Sequence, residues 1–262
     1  MQTNLLRLSL FSILIGLSVS CSDNNNDSGA VMLEPTPPPA IETATYVVNI
    51  TNLTNSQPFS PAAIIIHQAG YTLFVDGEPA SVALEELAEG GNPNRLVIEA
   101  SSANSVIKAV QIDSSTPPRS IGNDITIEVP LSNISNMMIS LATMLVNTND
   151  AFTALNAVNI SDMVVGDALS FTAPSWDAGT ESNLETADTM PGPAAINAGG
   201  GGEVAGFSAT RDDLLDKVHL HPGVVTNANA MDASKEGLAS SVLGEGDRWD
   251  NPTSKIIISR TR

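Results

Sequence analysis

Cysteine occurs once in this chain of 262 residues, at position 21, so no intramolecular disulfide can staple it and stability rests on an apolar core. Aromatic residues make up 4% of the sequence, too few to line a sugar-binding cleft between paired carboxylates. Positive charge is equally scarce. Eleven Lys and Arg face 29 Asp and Glu, a formal net charge of −18, and such a surface repels nucleic acid and anionic membrane while favouring cations or basic partners. Nucleic-acid binding is excluded on that ground. No G-x-S-x-G elbow occurs; the nearest match, "GFSAT" around Ser208, carries Ala where the second Gly belongs. The Gly-rich "NAGGGGEVAG" (197–206) lacks the lysine and the strand-to-helix setting of a phosphate loop and reads as a flexible connection.

What is present begins with an N-terminal address. Arg7 supplies a small positive region, and "LSLFSILIGLSV" is an apolar run too short to span a bilayer as a permanent helix. It ends in "LSVSC", which resembles a bacterial lipobox. On this reading residues 1–20 are a lipoprotein signal peptide and Cys21 becomes the lipidated first residue. Cleavage removes Arg7 and no acid, which moves the formal charge to about −19. Ser22 follows, not a retention aspartate, so the expectation is an outer-membrane anchor in the cell envelope, periplasmic or surface-exposed. Residues 21–44, polar and then Pro-rich, read as a tether.

From residue 45 to 262 the pattern is that of one β domain, rich in Val, Ile and Thr and broken by Asn, Gly and Pro. Strands are expected at 45–52, 62–68, 71–75, 105–113, 124–130, 137–145, 167–174, 217–222 and 254–261. In the last, Ile256 and Ile258 face one way, Ile257 and Ser259 the other. Helical spacing is confined to short pieces. "SVALEELAEGG" (81–91) offers Ser81 as N-cap, Leu84 and Leu87 on one face and Gly90–Gly91 as a stop; "DDLLDKV" (212–218) is a weaker second. Many strands with few helices point to an all-β antiparallel sandwich with one or two short helices in its loops.

Chemistry-bearing residues concentrate in few places. His219 and His221 stand two apart, so on a strand both face one way; a transition metal and a hydrogen-bonded sheet edge both fit that spacing. A hydrolase built on Ser208 with His219 or His221 has nothing to position a third member, so no catalytic constellation is convincing and the expectation is a protein that is not an enzyme. Two loops are rich in hard oxygen donors. "PSWDAGTESN" (174–183) carries Asp177 and Glu181 around Gly179, and "MLVNTNDAF" (144–152) carries Asn147, Asn149 and Asp150. Calcium wants six to eight oxygens in flexible geometry, and a sandwich supplies them by gathering loops at one end. Trp176 is expected to be the loop's buried packing foot.

The segment "YVVNITNLTNSQPFSPAAIIIHQAGYTLFVDGEPASVALEELAEGGN" (46–92), followed in order by "MLVNTNDAF", "WDAGTESN", "HPGV" (221–224) and "WDNPTSKIIISR" (249–260), resembles the spondin domain, the N-terminal module of F-spondin and mindin. The resemblance covers 45–262 and implies a C2-like sandwich that binds calcium at one end. It assigns direct metal ligation to Asp150, Asp177 and Glu181, with Asn149 as a helper. Trp176 stands where the family has Tyr, and Glu181 where animal members often have Asp. The implied role is adhesion or binding, with an extracellular protein or glycan as ligand and the membrane as a partner through the lipid. The thrombospondin-type repeats of the animal proteins are absent. A secreted hydrolase and a purely structural envelope protein are the alternatives.

Overall fold

The structure is a computed structural model that describes residues 40–200, 207–228 and 238–262. Cys21, all of the expected signal peptide and most of the tether lie outside the described residues, as does the 201–206 part of the Gly-rich stretch.

Alternation in the sequence becomes burial in the structure. Strand β1 (Thr43–Asn52) buries every second residue, placing Ala44, Tyr46, Val48 and Ile50 inward. It pairs antiparallel with β10 (Ser254–Arg260), whose Ile256 and Ile258 are buried while Ile257 is not, and with β4 (Ile125–Pro130). Strand β7 (Ala168–Ala173) pairs with β10, giving a four-stranded sheet in the order β4-β1-β10-β7. The second sheet has six strands in the order β3-β2-β5-β6-β8-β9. These are β2 (Ala62–His67), β3 (Val106–Ile112), β5 (Met138–Met144), β6 (Ala151–Asn159), β8 (Ser175–Asp177) and β9 (His219–Leu220). All pairings are antiparallel. The expected all-β antiparallel sandwich is the fold found.

The main core fills the space between the sheets, with Tyr46, Ile127 and Ile256 from one side meeting Ile64, Ile66, Ile139 and Leu141 from the other. Each such side chain, fully buried, contributes about 2 kcal/mol of transfer free energy. Strand β2 is buried at all six positions, so its run "AAIIIH" cannot alternate. The reason lies on the sheet's outer face. Helix α1 (Val82–Gly90) and helix α2 (Asn94–Ser101) set Leu84, Leu87, Leu96 and Ala100 against Ala63, Ile65, Ala142 and Phe152. The helices are a covering layer rather than loop decoration. Helix α1 starts and stops as its sequence dictates. Ser81 accepts the Leu84 N–H at 3.2 Å, and Gly91, left-handed at φ 66°, returns its N–H to Leu87 O at 3.0 Å.

Two expectations are corrected, and other elements stand where none was expected. Residues 71–75 form no strand, because Asn156 on β6 takes the segment's backbone instead: Leu73 N donates to Asn156 Oδ1 and Asn156 Nδ2 donates to Phe74 O. Residues 212–218 form no helix but bend irregularly, with Leu215 N donating to Asp213 Oδ1 and Asp216 left-handed at φ 45°. Strand β6 and helix α2 were not anticipated. The short helix α3 (Pro193–Asn197) also lacked a periodic signal of its own.

Candidate functional site

The two oxygen-rich loops meet because strand register makes them. Ala151, the first residue of β6, stands opposite Asp177, the last of β8; Asp177 in turn stands opposite His219 on β9. Asp150 therefore enters the sheet's end beside Asp177, and the His219–His221 segment closes the other side. Gly179 lets the chain turn after Asp177. Its φ of 71° is left-handed, and a Cβ there would collide with the Lys217 backbone. Glu185 also sits left-handed at φ 47°, a conformation that costs a bulky residue energy and recurs at ligand sites.

Asp150 has two unlike oxygens. Oδ2 accepts from Thr180 N at 2.8 Å, Thr180 Oγ1 at 3.1 Å and Glu181 N at 3.1 Å. Oδ1 is buried with no hydrogen-bond partner. Asp177 Oδ1 accepts from Gly179 N at 2.8 Å, and Oδ2 from Asn183 Nδ2 at 2.9 Å. Asp150, Asp177 and His221, all buried, each offer one donor atom within 4.8 Å of the others. Burial, reinforced at Asp150 by the charge of Asp177, raises the pKa of both aspartates. Glu185 is pushed up to about 7, chiefly by burial, and its Oε2 has no hydrogen-bond partner. Among the described residues no lysine or arginine forms an ion pair with these carboxylates; the nearby cationic candidates are histidines. Raised carboxylate pKa values without a paired base mark a place that a cation would relieve.

The two histidines use Nδ1 in opposite roles. His219 Nδ1 lies 2.8 Å from Lys217 O, and a carbonyl only accepts, so Nδ1 carries a proton. At His221 the Gly223 N–H donates to Nδ1 at 3.0 Å, so the proton sits on Nε2. Burial pushes the His221 pKa down to about 3, which keeps the ring neutral. His221 Nε2 is thus an N–H donor held 3.8 Å from Asp177 Oδ2, not a free lone pair. The lone pairs inside the cage belong to the oxygens, and this donor set fits a hard cation such as calcium.

Each residue expected at the site has a definite position. Asp150 and Asp177 converge. Glu181 is buried and gives its backbone N–H to Asp150. The Asn149 side chain is engaged elsewhere: Oδ1 accepts from Glu185 N at 3.1 Å and Nδ2 donates to Thr189 O at 3.3 Å, so it braces the loop. Trp176 is half-buried, its ring 4.9 Å from that of Phe74 and packed against the second core. Ser208 Oγ donates to Thr210 O at 3.2 Å, and His67 is a core residue bonded to Ser140 Oγ at 2.9 Å. Sequence reasoning missed Glu185 altogether, since a lone Glu in a polar stretch carries no periodic signal; Asn183, part of the oxygen-rich loop, serves as a donor that fixes Asp177. It named the two histidines without finding their carboxylate neighbours.

The Spondin_N family model matches residues 45–191. None of the curated proteins matches the chain. The matched span holds β1 through β8, both aspartates and Glu181, and covers more than half of the 262 residues; the chain belongs to the Spondin_N family.

Proposed function

We propose that this chain is an extracellular binding module of the adhesion type, carried on a lipid at Cys21 in the outer membrane, with a calcium ion tying its loops together. Membership of the family supports the binding role. The single observation that supports the cation is the buried Asp150 Oδ1, which has no hydrogen-bond partner and belongs to a residue clustered with a second buried aspartate. Asp150 Oδ1 and Asp177 would hold the ion, with the Glu181 and Glu185 carboxylates as further oxygen donors. When bound, calcium supplies positive charge that cross-links strand ends otherwise held apart by like charge. The protein's own part is positional. Thr180 and Glu181 N–H groups fix Asp150, while Gly179 N and Asn183 fix Asp177. A partner presenting a carboxylate, on an extracellular protein or a glycan, would complete the coordination. Hydrolysis is the weaker reading, because the Ser208 hydroxyl and His219 Nδ1 each bond to a backbone carbonyl rather than to each other.

Thermal unfolding of the full-length protein in detergent, with calcium or with chelator, tests the ion. At a calcium concentration a hundred times Kd the wild type gains about 2.7 kcal/mol, while Asp177→Ala and the milder Asp150→Asn do not respond. Equal melting temperatures in wild type with and without calcium would overturn the reading. Cell fractionation tests the anchor: Cys21→Ser should move the protein from the membrane to the soluble fraction.

A further inference from the structure

The segment from Arg211 to Asp216 is fastened at its base and bare at its tip. Arg211 Nε and Nη2 donate to the two carboxylate oxygens of Glu85 at 3.1 and 2.7 Å. Nη2 also donates to Ala80 O at 2.8 Å, and Nη1 to Asp216 Oδ1 at 2.9 Å. Glu85 is a buried residue of α1, so a rigid element holds this two-pronged ion pair. On the other side Asp212 N donates to Thr180 O at 3.1 Å, and Ser182 N donates to Asp212 Oδ1 at 2.8 Å. Beyond these clamps the chain bends with Leu214 99% exposed and Leu215 59% exposed. Folding gains nothing from two adjacent leucines left in water. One exposed leucine is ordinary, but a pair on a loop already tied down is an apolar anchor that needs little further ordering to bind.

Resting on the binding-module reading above, we propose that residues 211–216 form a docking finger whose two leucines enter an apolar pocket, rimmed by lysine or arginine, on a partner protein. Charge chooses the partner. Asp212 and Asp213 precede the leucines and Asp216 follows them. The exposed Asp76 and Glu78 stand close behind, since Gly77 N and Glu78 O both bond to the backbone of Val218. Against these acids stand Lys217 and an Arg211 already spent on Glu85 and Asp216. An apolar tip in an acidic ring complements an apolar pocket with a basic rim, and it repels a second copy of this acidic chain and an anionic bilayer alike. Position agrees. Asp177 ends β8 and pairs with His219, the first residue of β9, so the finger just before it lies at the Asp150–Asp177 end of the sandwich. Gln57, shortly after β1, bonds to the Asn147 backbone at that same end. Thr43 starts that ten-residue strand and so lies a strand length, roughly 30 Å, from it. A tether that joins at Thr43 enters the fold far from the finger and leaves it free for a partner other than the anchoring membrane.

The test uses the full chain carrying Cys21→Ser, so that no lipid enters the readings, and three fluorescent amphipathic peptides of equal length followed by anisotropy at physiological salt. One peptide is built of leucine and lysine, one replaces each leucine by glutamine, and one replaces each lysine by glutamate. The leucine–lysine peptide should bind about tenfold more tightly than either of the others, or better. Leu214→Ser/Leu215→Ser should lower its affinity to that of the glutamine–lysine peptide without moving Tm, and Leu214→Ser alone should weaken it in the same direction. Ile98→Ser, at an exposed apolar position on α2, should change nothing. Equal affinity of wild type and the double variant for the leucine–lysine peptide overturns the proposal, as does equal binding of the leucine–glutamate peptide. So does co-sedimentation of wild type, and not of the double variant, with phosphatidylcholine vesicles, which would make the occupant a bilayer. Each of these failures leaves the calcium response of Tm, and the cation reading with it, standing; a lost calcium response with peptide discrimination intact does the reverse.

Discussion

At Asp150 one carboxylate oxygen takes three hydrogen bonds and the other takes none. That asymmetry is what the proposed ligand role asks for, since a buried carboxylate oxygen left without a partner calls for an explanation. The neighbouring glycine sets how the second loop reaches it. Gly179→Ala combines a left-handed φ with a Cβ driven into the Lys217 backbone, so it should destabilise by more than about 2 kcal/mol, read as a lowered urea midpoint. A midpoint within error of wild type would mean that the loop relaxes freely and that the site is not held by this turn. Asn149 teaches the complementary lesson. It has the right chemistry for a ligand, yet it spends both ends of its amide bracing Glu185 and Thr189.

Among the elements, α1 does more than its length suggests. Its Leu87 is fully buried against the outer face of the six-stranded sheet, so Leu87→Ala should cost about 3 kcal/mol in chemical denaturation. Loss of the Ser81 cap should cost less, about 1 kcal/mol for Ser81→Ala. The same helix carries Glu89, buried beneath Ser208 N, whose pKa burial pushes up from 4.5 to about 7. The sign follows directly. Between those values the unfolded chain has released this proton while the folded chain still holds it, so stability falls as pH rises through the window and the deficit is complete above about pH 7. Glu89→Gln keeps an acceptor for Ser208 N and carries no such deficit. It should exceed wild type by on the order of 2 kcal/mol at pH 8 and match it near pH 4. The buried aspartates and Glu185 titrate in both proteins and cancel in the difference; a constant difference across pH would sink the assignment.

For the whole molecule, charge and layering dominate. A net charge of −18 makes the folded state repel itself, and four of its carboxylates are buried together at the site. Raising monovalent salt from about 0.01 to 0.5 M, which shortens the screening length from about 30 Å to a few ångströms, should raise Tm in chelator. A divalent ion should do so at far lower concentration by entering the site. If sodium and divalent ions act alike at equal ionic strength, the cation effect is screening alone. Layering explains why the sandwich carries helices. The six-stranded sheet is apolar on both faces, and only one of them meets the other sheet.

The fold class was legible because period-two alternation in β1 and β10 is a local property: each buried residue faces the core whatever lies across it. The start and stop of α1 were legible for the same reason, since caps act within one turn. Strand β6 was hidden, because five of its residues are buried on both faces and "AFTAL" shows no alternation. Residues 71–75 look like a strand locally and are unmade by one asparagine on β6, 81 to 85 positions away. Composition and resemblance found the acidic loops and named Asp150 and Asp177. The meeting of those loops with His219 and His221 was decided by antiparallel register across β6, β8 and β9, which joins segments far apart in the chain. Which ring nitrogen bears the proton was decided by single backbone groups, Lys217 O and Gly223 N. Sequence fixes what a residue can do within its own turn or pleat; hydrogen-bond partners across the sheet decide which of those capacities remain free.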